Sequence, residues 1–176
     1  TYTIKNSVTI DLNGKTVKGS GYDGVFQIDG ENATLVIKGD GNVVAVEKSG
    51  SAGKYAMAIW VCERTASVTI NGGSFSQEIE HTDDKQFDMI YTSAGKITIN
   101  GGHFESVTPK WTINCKDTAY KNGTASIVVN GGTFVGIDPR NCETEGPGTS
   151  FVGEGVGVNN ENGTFTATPN MVAQRI

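Results

Sequence analysis

The phrase TINGGSF at residues 69–75 returns as TINGGHF at 98–104 and as VVNGGTF at 128–134. Its asparagines, Asn71, Asn100 and Asn130, are separated by 29 and 30 residues. Self-similarity at such a period belongs to stacked architectures, and it constrains this chain more than any other feature. A looser copy is IDLNGKTV, where Asn13-Gly14 takes the corner and Val17 falls at the phenylalanine position. LVIKGDGNVV, at 35–44, has the same strand–glycine corner–strand form, with Lys38 replacing the asparagine.

Within each repeat the apolar residues alternate, as in Val68/Ile70, Ile97/Ile99 and Ile127/Val129. Alternation of β-branched residues reads as a strand with one face buried. A second strand precedes each of these, in FQI at 26–28, AIWV at 58–61, DMIY at 88–91 and WTIN at 111–114. A third follows the corner, in VVAV at 43–46 and in the segments from Phe75, Phe104 and Phe134. No stretch carries a helical period with caps, so very little helix is expected. The 24 glycines and 4 prolines suit a chain of many tight turns.

Three short strands per thirty or so residues describe one coil of a parallel β-helix, which buries its inner face only by stacking on its neighbours. The rival is an antiparallel sandwich, because Asn-Gly is also a hairpin signal. Sandwiches do not repeat a seven-residue phrase at constant period. The predicted fold is therefore all-β: a single-stranded parallel β-helix of about five coils over 1–150, with a C-terminal capping hairpin in 151–176. Phe75, Phe104 and Phe134 should stack inside, and Asn71, Asn100 and Asn130 should form an amide ladder at the corner. Gly72, Gly101 and Gly131 are expected to supply the positive φ of that corner. After Phe134 comes a polar loop, GIDPRNCETEGPGTS, and then FVGEGVGV and GTFTATP around NNEN, which reads as the closing hairpin.

A net charge of -5 and a pI near 5.0 argue against a nucleic-acid groove or an anionic membrane surface. No apolar run approaches the roughly 20 residues of a membrane span. The chain opens in strand-like sequence without Met, which reads as a piece of something longer. Cys62, Cys115 and Cys142 match no zinc spacing. They leave buried free thiols and a Cys115–Cys142 bridge both open.

DLNGKTV, the repeated TINGGxF, and GGTFVGIDPRNCETEGPGTSFVGEG followed by ENGTFTATP resemble a family of right-handed, pectate-lyase-like β-helical modules. Its members occur on phage virions and on surface proteins of gut-associated bacteria. The resemblance runs over nearly the whole chain. It implies a virion, extracellular or cell-surface location, a host-surface glycan or receptor as partner, other virion proteins as neighbours, and trimeric self-association. Such modules serve as appendages, adhesins or, with added residues, polysaccharide-degrading enzymes.

Of the signatures shared by β-helical galacturonan hydrolases (NTD, DD, GHG and RIK) only Asp83-Asp84 is present. The stacked aspartates and downstream arginine of pectate lyases are also missing, since Arg64, Arg140 and Arg175 stand alone. A non-enzymatic contact role follows, without metal or cofactor, with depolymerase as the alternative. The densest polar stretch is SQEIEHTDDKQFD at 76–88. Its Glu78, Glu80, His81, Asp83 and Asp84 form a solvated loop, a cation site or a recognition loop, although they lack the rigid spacing of a calcium loop. His103 is expected at an exposed outer position. Trp60 and Tyr91 hold equivalent places on adjacent coils. If Ile59 and Ile90 point inward, the two rings stand outward side by side as a contact surface; in the opposite register both lie in the core.

Overall fold

The computed structural model describes residues 1–19, 24–46, 57–78 and 88–170. Five coils of three strands follow one another. The first is β1 (Tyr2–Ile4), β2 (Val8–Asp11) and β3 (Lys15–Gly19); the second is β4 (Phe26–Ile28), β5 (Thr34–Lys38) and β6 (Gly41–Ala45). The third is β7 (Ile59–Val61), β8 (Ser67–Ile70) and β9 (Ser74–Gln77), and the fourth is β10 (Ile90–Thr92), β11 (Gly95–Ile99) and β12 (His103–Glu105). The fifth is β13 (Ile113–Cys115), β14 (Ala125–Val129) and β15 (Gly132–Val135). The first strands of all coils pair into sheet A, the second strands into sheet B and the third into sheet C, always parallel. The result is a parallel β-solenoid, as the repeat requires. The one α-helix among the described residues, α1 (Asp117–Lys121), is a single short turn between β13 and β14.

Register converts the sequence period into ranks of stacked side chains. Val17, Val43, Phe75, Phe104 and Phe134 form one inward rank. The Phe75 and Phe104 ring centroids lie 5.1 Å apart at 10°, and Phe104 and Phe134 lie 4.9 Å apart at 11°. All three phenylalanines are fully buried. At the corner, Asn100 Nδ2 donates to Asn71 Oδ1 at 2.9 Å and Asn130 Nδ2 donates to Asn100 Oδ1 at 3.0 Å. Asn100 alone of the three makes both ladder bonds. Replacing each asparagine by Ala should therefore cost about 0.5–1.5 kcal/mol at Asn71 or Asn130 and roughly twice that at Asn100. Urea midpoints check this, and three equal midpoints would contradict the ladder.

Two details of the corner differ from expectation. Positive φ falls on the second glycine of each NGG, at Gly73 (+92°), Gly102 (+111°) and Gly132 (+109°), and not on Gly72, Gly101 or Gly131. The first glycine is required for another reason. A Cβ on Gly131 would sit 2.4 Å from the Asn100 carbonyl oxygen of the coil beneath, and one on Gly101 would sit 3.0 Å from that of Asn71. In the first coil, the residue at the ladder position is Asp11 and not Asn13: Asp11 pairs with Lys38, and Ile37, just before Lys38, pairs with Ile70, just before Asn71. Lys38 Nζ lies 3.6 Å from Asp11 Oδ2, so an ion pair replaces the amide bond there.

The C-terminal end of the solenoid is closed in all three sheets. β16 (Val156–Glu161) and β17 (Thr164–Pro169) form an antiparallel hairpin, and β17 pairs antiparallel with β15 along the edge of sheet C. Its turn is Asn162-Gly163, with φ of 52° and 84°, one step beyond the NNEN expected; positive φ at both central residues suits a two-residue hairpin. In sheet B, Val129 N–H donates to the Phe151 carbonyl at 2.8 Å and Gly153 N–H to the Val129 carbonyl at 2.8 Å. In sheet A, the Glu145 carboxylate accepts the Cys115 N–H at 2.7 Å. Ile137, Cys142 and Phe151 pin this segment into the core. An open sheet edge invites further pairing, and here each strand of the fifth coil is met at one or more residues, which leaves β16 as the end strand of sheet C.

Candidate functional site

Side chains alternate along a strand, so sheet A presents one inward and one outward set. Ile59 and Val61, Ile90 and Thr92, and Ile113 and Cys115 are buried inward. The outward rank between them runs Thr3, Gln27, Trp60, Tyr91, Asn114 in register. Trp60 and Tyr91 are thus side by side on the outer face, each half-buried. The Trp60 indole N–H donates to Ser93 Oγ at 2.9 Å, which fixes the ring.

Beyond Tyr91 the outer face deepens into a cleft of about 320 Å³, lined by Asp88, Tyr91, Trp111, Asn114, Lys116 and Asp117. Trp111 ends a 3-10 turn at Pro109–Trp111, where a strand over 111–114 was expected; the strand begins at Ile113. Pro109 starts that turn, and its carbonyl accepts Thr112 N–H and Oγ1, while the Trp111 carbonyl accepts the Met89 N–H at 2.9 Å. Lys110 Nζ lies 5.6 Å from the Trp111 ring centroid, within cation–π range. Lys116 and Asp117 enter the cleft because α1 starts directly after β13.

The floor of the cleft is polar and buried. Asp88 is 7 % exposed and Asn114 6 %. Asn114 Nδ2 donates to Asp88 Oδ1 at 3.1 Å, while Asn114 Oδ1 has no partner among the described residues. Burial pushes the Asp88 carboxyl up to about 7, the Asn114 hydrogen bond opposes this, and the nearby Glu145 charge adds to it. Burial also raises Glu145. Asp88 is therefore close to half protonated at neutral pH and can either donate or accept. The Cys142 thiol is pushed up to about 12 and Cys115 is raised as well, by burial first and the Glu145 charge second. All three cysteines are free thiols. The two buried ones stay uncharged and offer no nucleophile.

The expected polar cluster is not assembled by the described residues. Glu80, His81, Asp83 and Asp84 lie outside them. Glu78 follows β9 on sheet C and forms an exposed ion pair with Lys18 Nζ at 3.1 Å. His103 lies on the outer face of sheet C, 3.7 Å from Glu105. Among the described residues no three His, Cys, Asp or Glu side chains are grouped to hold a metal ion.

Sequence reasoning missed Asp88, Asn114 and Asp117 as a group. One signal was available. Asp88 stands two residues ahead of Ile90, the place that buried Met57 holds ahead of Ile59, so a carboxylate occupies an apolar rank. No family model, curated protein or solved structure matches this chain.

Proposed function

We propose that the outer face of sheet A is a glycan-contact surface, and that the chain is the binding module of a β-solenoid surface appendage. The observation that carries this reading is the cleft itself, where the Tyr91 and Trp111 rings meet Asp88, Asn114, Lys116 and Asp117. Binding sites are built in this way, from aromatic walls and a few convergent polar groups. Sugar rings offer C–H faces to the aromatics and hydroxyls to the carboxyl, amide and ammonium groups. The setting comes from the resemblance: a phage virion fibre, spike or decoration module attaching to a host surface, alone or as a trimer beside other virion proteins. A secreted or cell-surface bacterial adhesin would use the same surface.

Depolymerase is the second reading, favoured by one observation. Asp88 has a raised pKa and shares its cleft with Asp117, and two carboxyls are what glycoside cleavage needs. A glycan array, followed by titration of the best oligosaccharide, tests the first reading. Tyr91→Ala and Trp111→Ala should each weaken binding by about tenfold with the β-type circular dichroism retained. No reducing ends or unsaturated sugars should appear, with or without calcium. Turnover that is lost in Asp88→Asn or Asp117→Asn would replace binding by catalysis.

A further inference from the structure

The two ends of the solenoid are unlike. At the C-terminal end the inward residues Ile113, Cys115, Ile127, Val129 and Phe134 are all buried, and β13, β14 and β15 are each met by the segment that follows them. At the N-terminal end the inward residues of the first coil are uncovered. Tyr2, which registers with buried Phe26, is 56 % exposed, and Val8, which registers with buried Leu35, is 39 % exposed. Ile4, Ile10 and Val17 are only partly buried. Tyr2 and Val8 are two of the three large exposed hydrophobics among the described residues.

The backbone of this face is also unpaired in an ordered way. In a parallel ladder, alternate residues direct both peptide groups to opposite neighbours. Tyr2 N–H bonds to Val25, Leu12 N–H bonds to Lys38, and the Gly19 carbonyl accepts from Val46, so these residues face the second coil. Thr3, Thr9 and Thr16, one or an odd number of places away, then direct their N–H and C=O groups to the open side. The face offers three short parallel strands around an aliphatic centre.

We infer that the N-terminal face is a docking surface for one further parallel coil of β-solenoid, stacked in register on β1, β2 and β3. The four coil–coil interfaces already in the molecule are all of this kind, with parallel strands in all three sheets and aliphatic or aromatic residues in the inward ranks. A further coil continues that interface without a change of geometry. A second copy would find, head to tail, only the β16 edge of sheet C, because Glu145 meets Cys115 in sheet A and Phe151–Gly153 meets Val129 in sheet B. It could meet all three strands of this face only with its own N-terminal face, which reverses the strand direction.

The chain itself supplies a probe for the test. Tyr2 shares a rank with Ile113, so residues 90–111 joined directly ahead of Thr1 would place Thr1 where Thr112 stands. In this extended protein the Thr3, Thr9 and Thr16 amides should exchange about tenfold more slowly or better than in the original chain, and the midpoint of unfolding should rise. Val8→Lys supplies a second readout. It should barely change the original chain, where Val8 meets solvent, and should destabilise the extended one. Unchanged amide exchange, or a Val8→Lys effect equal in the two proteins, would overturn the inference. Dimerisation of the original chain with protection of those same amides would overturn it in favour of a second copy.

Discussion

Phe104→Ala is expected to destabilise the protein by roughly 3–5 kcal/mol, the range for removing a buried aromatic ring. The cost should lie at the upper end because Phe104 is held between Phe75 and Phe134 in nearly parallel stacks. Such pairs contribute about 0.5–1.5 kcal/mol beyond area burial. Truncation removes both pairs and leaves a void in the middle of the rank, where coils above and below are tied by ladder hydrogen bonds and cannot close in. Phe104→Leu keeps much of the volume and should cost less. Phe134→Ala loses one ring pair and should fall between the two. Urea unfolding reads all three, and a Phe104→Ala midpoint equal to that of the parent would contradict the inward rank.

Asp88→Asn is expected to act in the opposite direction. A carboxyl raised from the ordinary 3.8 to about 7 keeps its proton in the folded state over a range where the unfolded chain has released it. That contribution to stability is present below about pH 3.8 and is lost as pH rises toward about 7. Above that the ionised carboxylate costs on the order of 4 kcal/mol relative to its neutral form. Glu145, also raised by burial, has the same sign. Asp138, lowered by its hydrogen bonds to Arg140, has the opposite sign at lower pH. An amide at position 88 removes the charge and can still accept from Asn114 Nδ2. It also brings a donor close to Asn114 Oδ1, which has no partner among the described residues. The variant should therefore melt higher than the parent at pH 8, and the gap should shrink as pH falls to 5. A variant that melts lower at pH 8 would mean that the ionised carboxylate is held by a favourable partner.

What could be read from the sequence follows from what repeats. The phenylalanine and asparagine ranks were legible because the period from Asn71 to Asn130 is nearly constant, and constant period places equivalent residues on top of one another. The corner was legible only in outline. Which glycine takes positive φ depends on the carbonyl of the coil below, which approaches Gly131 closely and leaves the turn itself to Gly132. In the first coil the corner is longer: Asp11 to Val17 spans six residues, against four from Asn71 to Phe75, so matching Asn-Gly to Asn-Gly shifted the ladder position. The outward placement of Trp60 and Tyr91 was one of two registers, and pairing with buried neighbours on both sides decides it. The cleft was hidden for a different reason. Asp88 precedes β10, while Asn114 and Asp117 belong to the fifth coil. The connections from sheet C back to sheet A vary in length, so no fixed spacing announces the meeting.

Sugar binding on the outer face of sheet A is the proposal to be tested. The most direct measurement is an NMR titration of the two indole N–H signals and the His103 ring with the oligosaccharide selected on an array. Trp111 lines the cleft and Trp60 stands one coil from Tyr91 with its N–H held by Ser93, whereas His103 lies by the glycine corner between sheets B and C. A sugar held there should give a large, saturable shift at Trp111, a smaller one at Trp60 and none at His103, and the oligosaccharide should be recovered intact. A saturable shift at His103 with both indoles unmoved would contradict it.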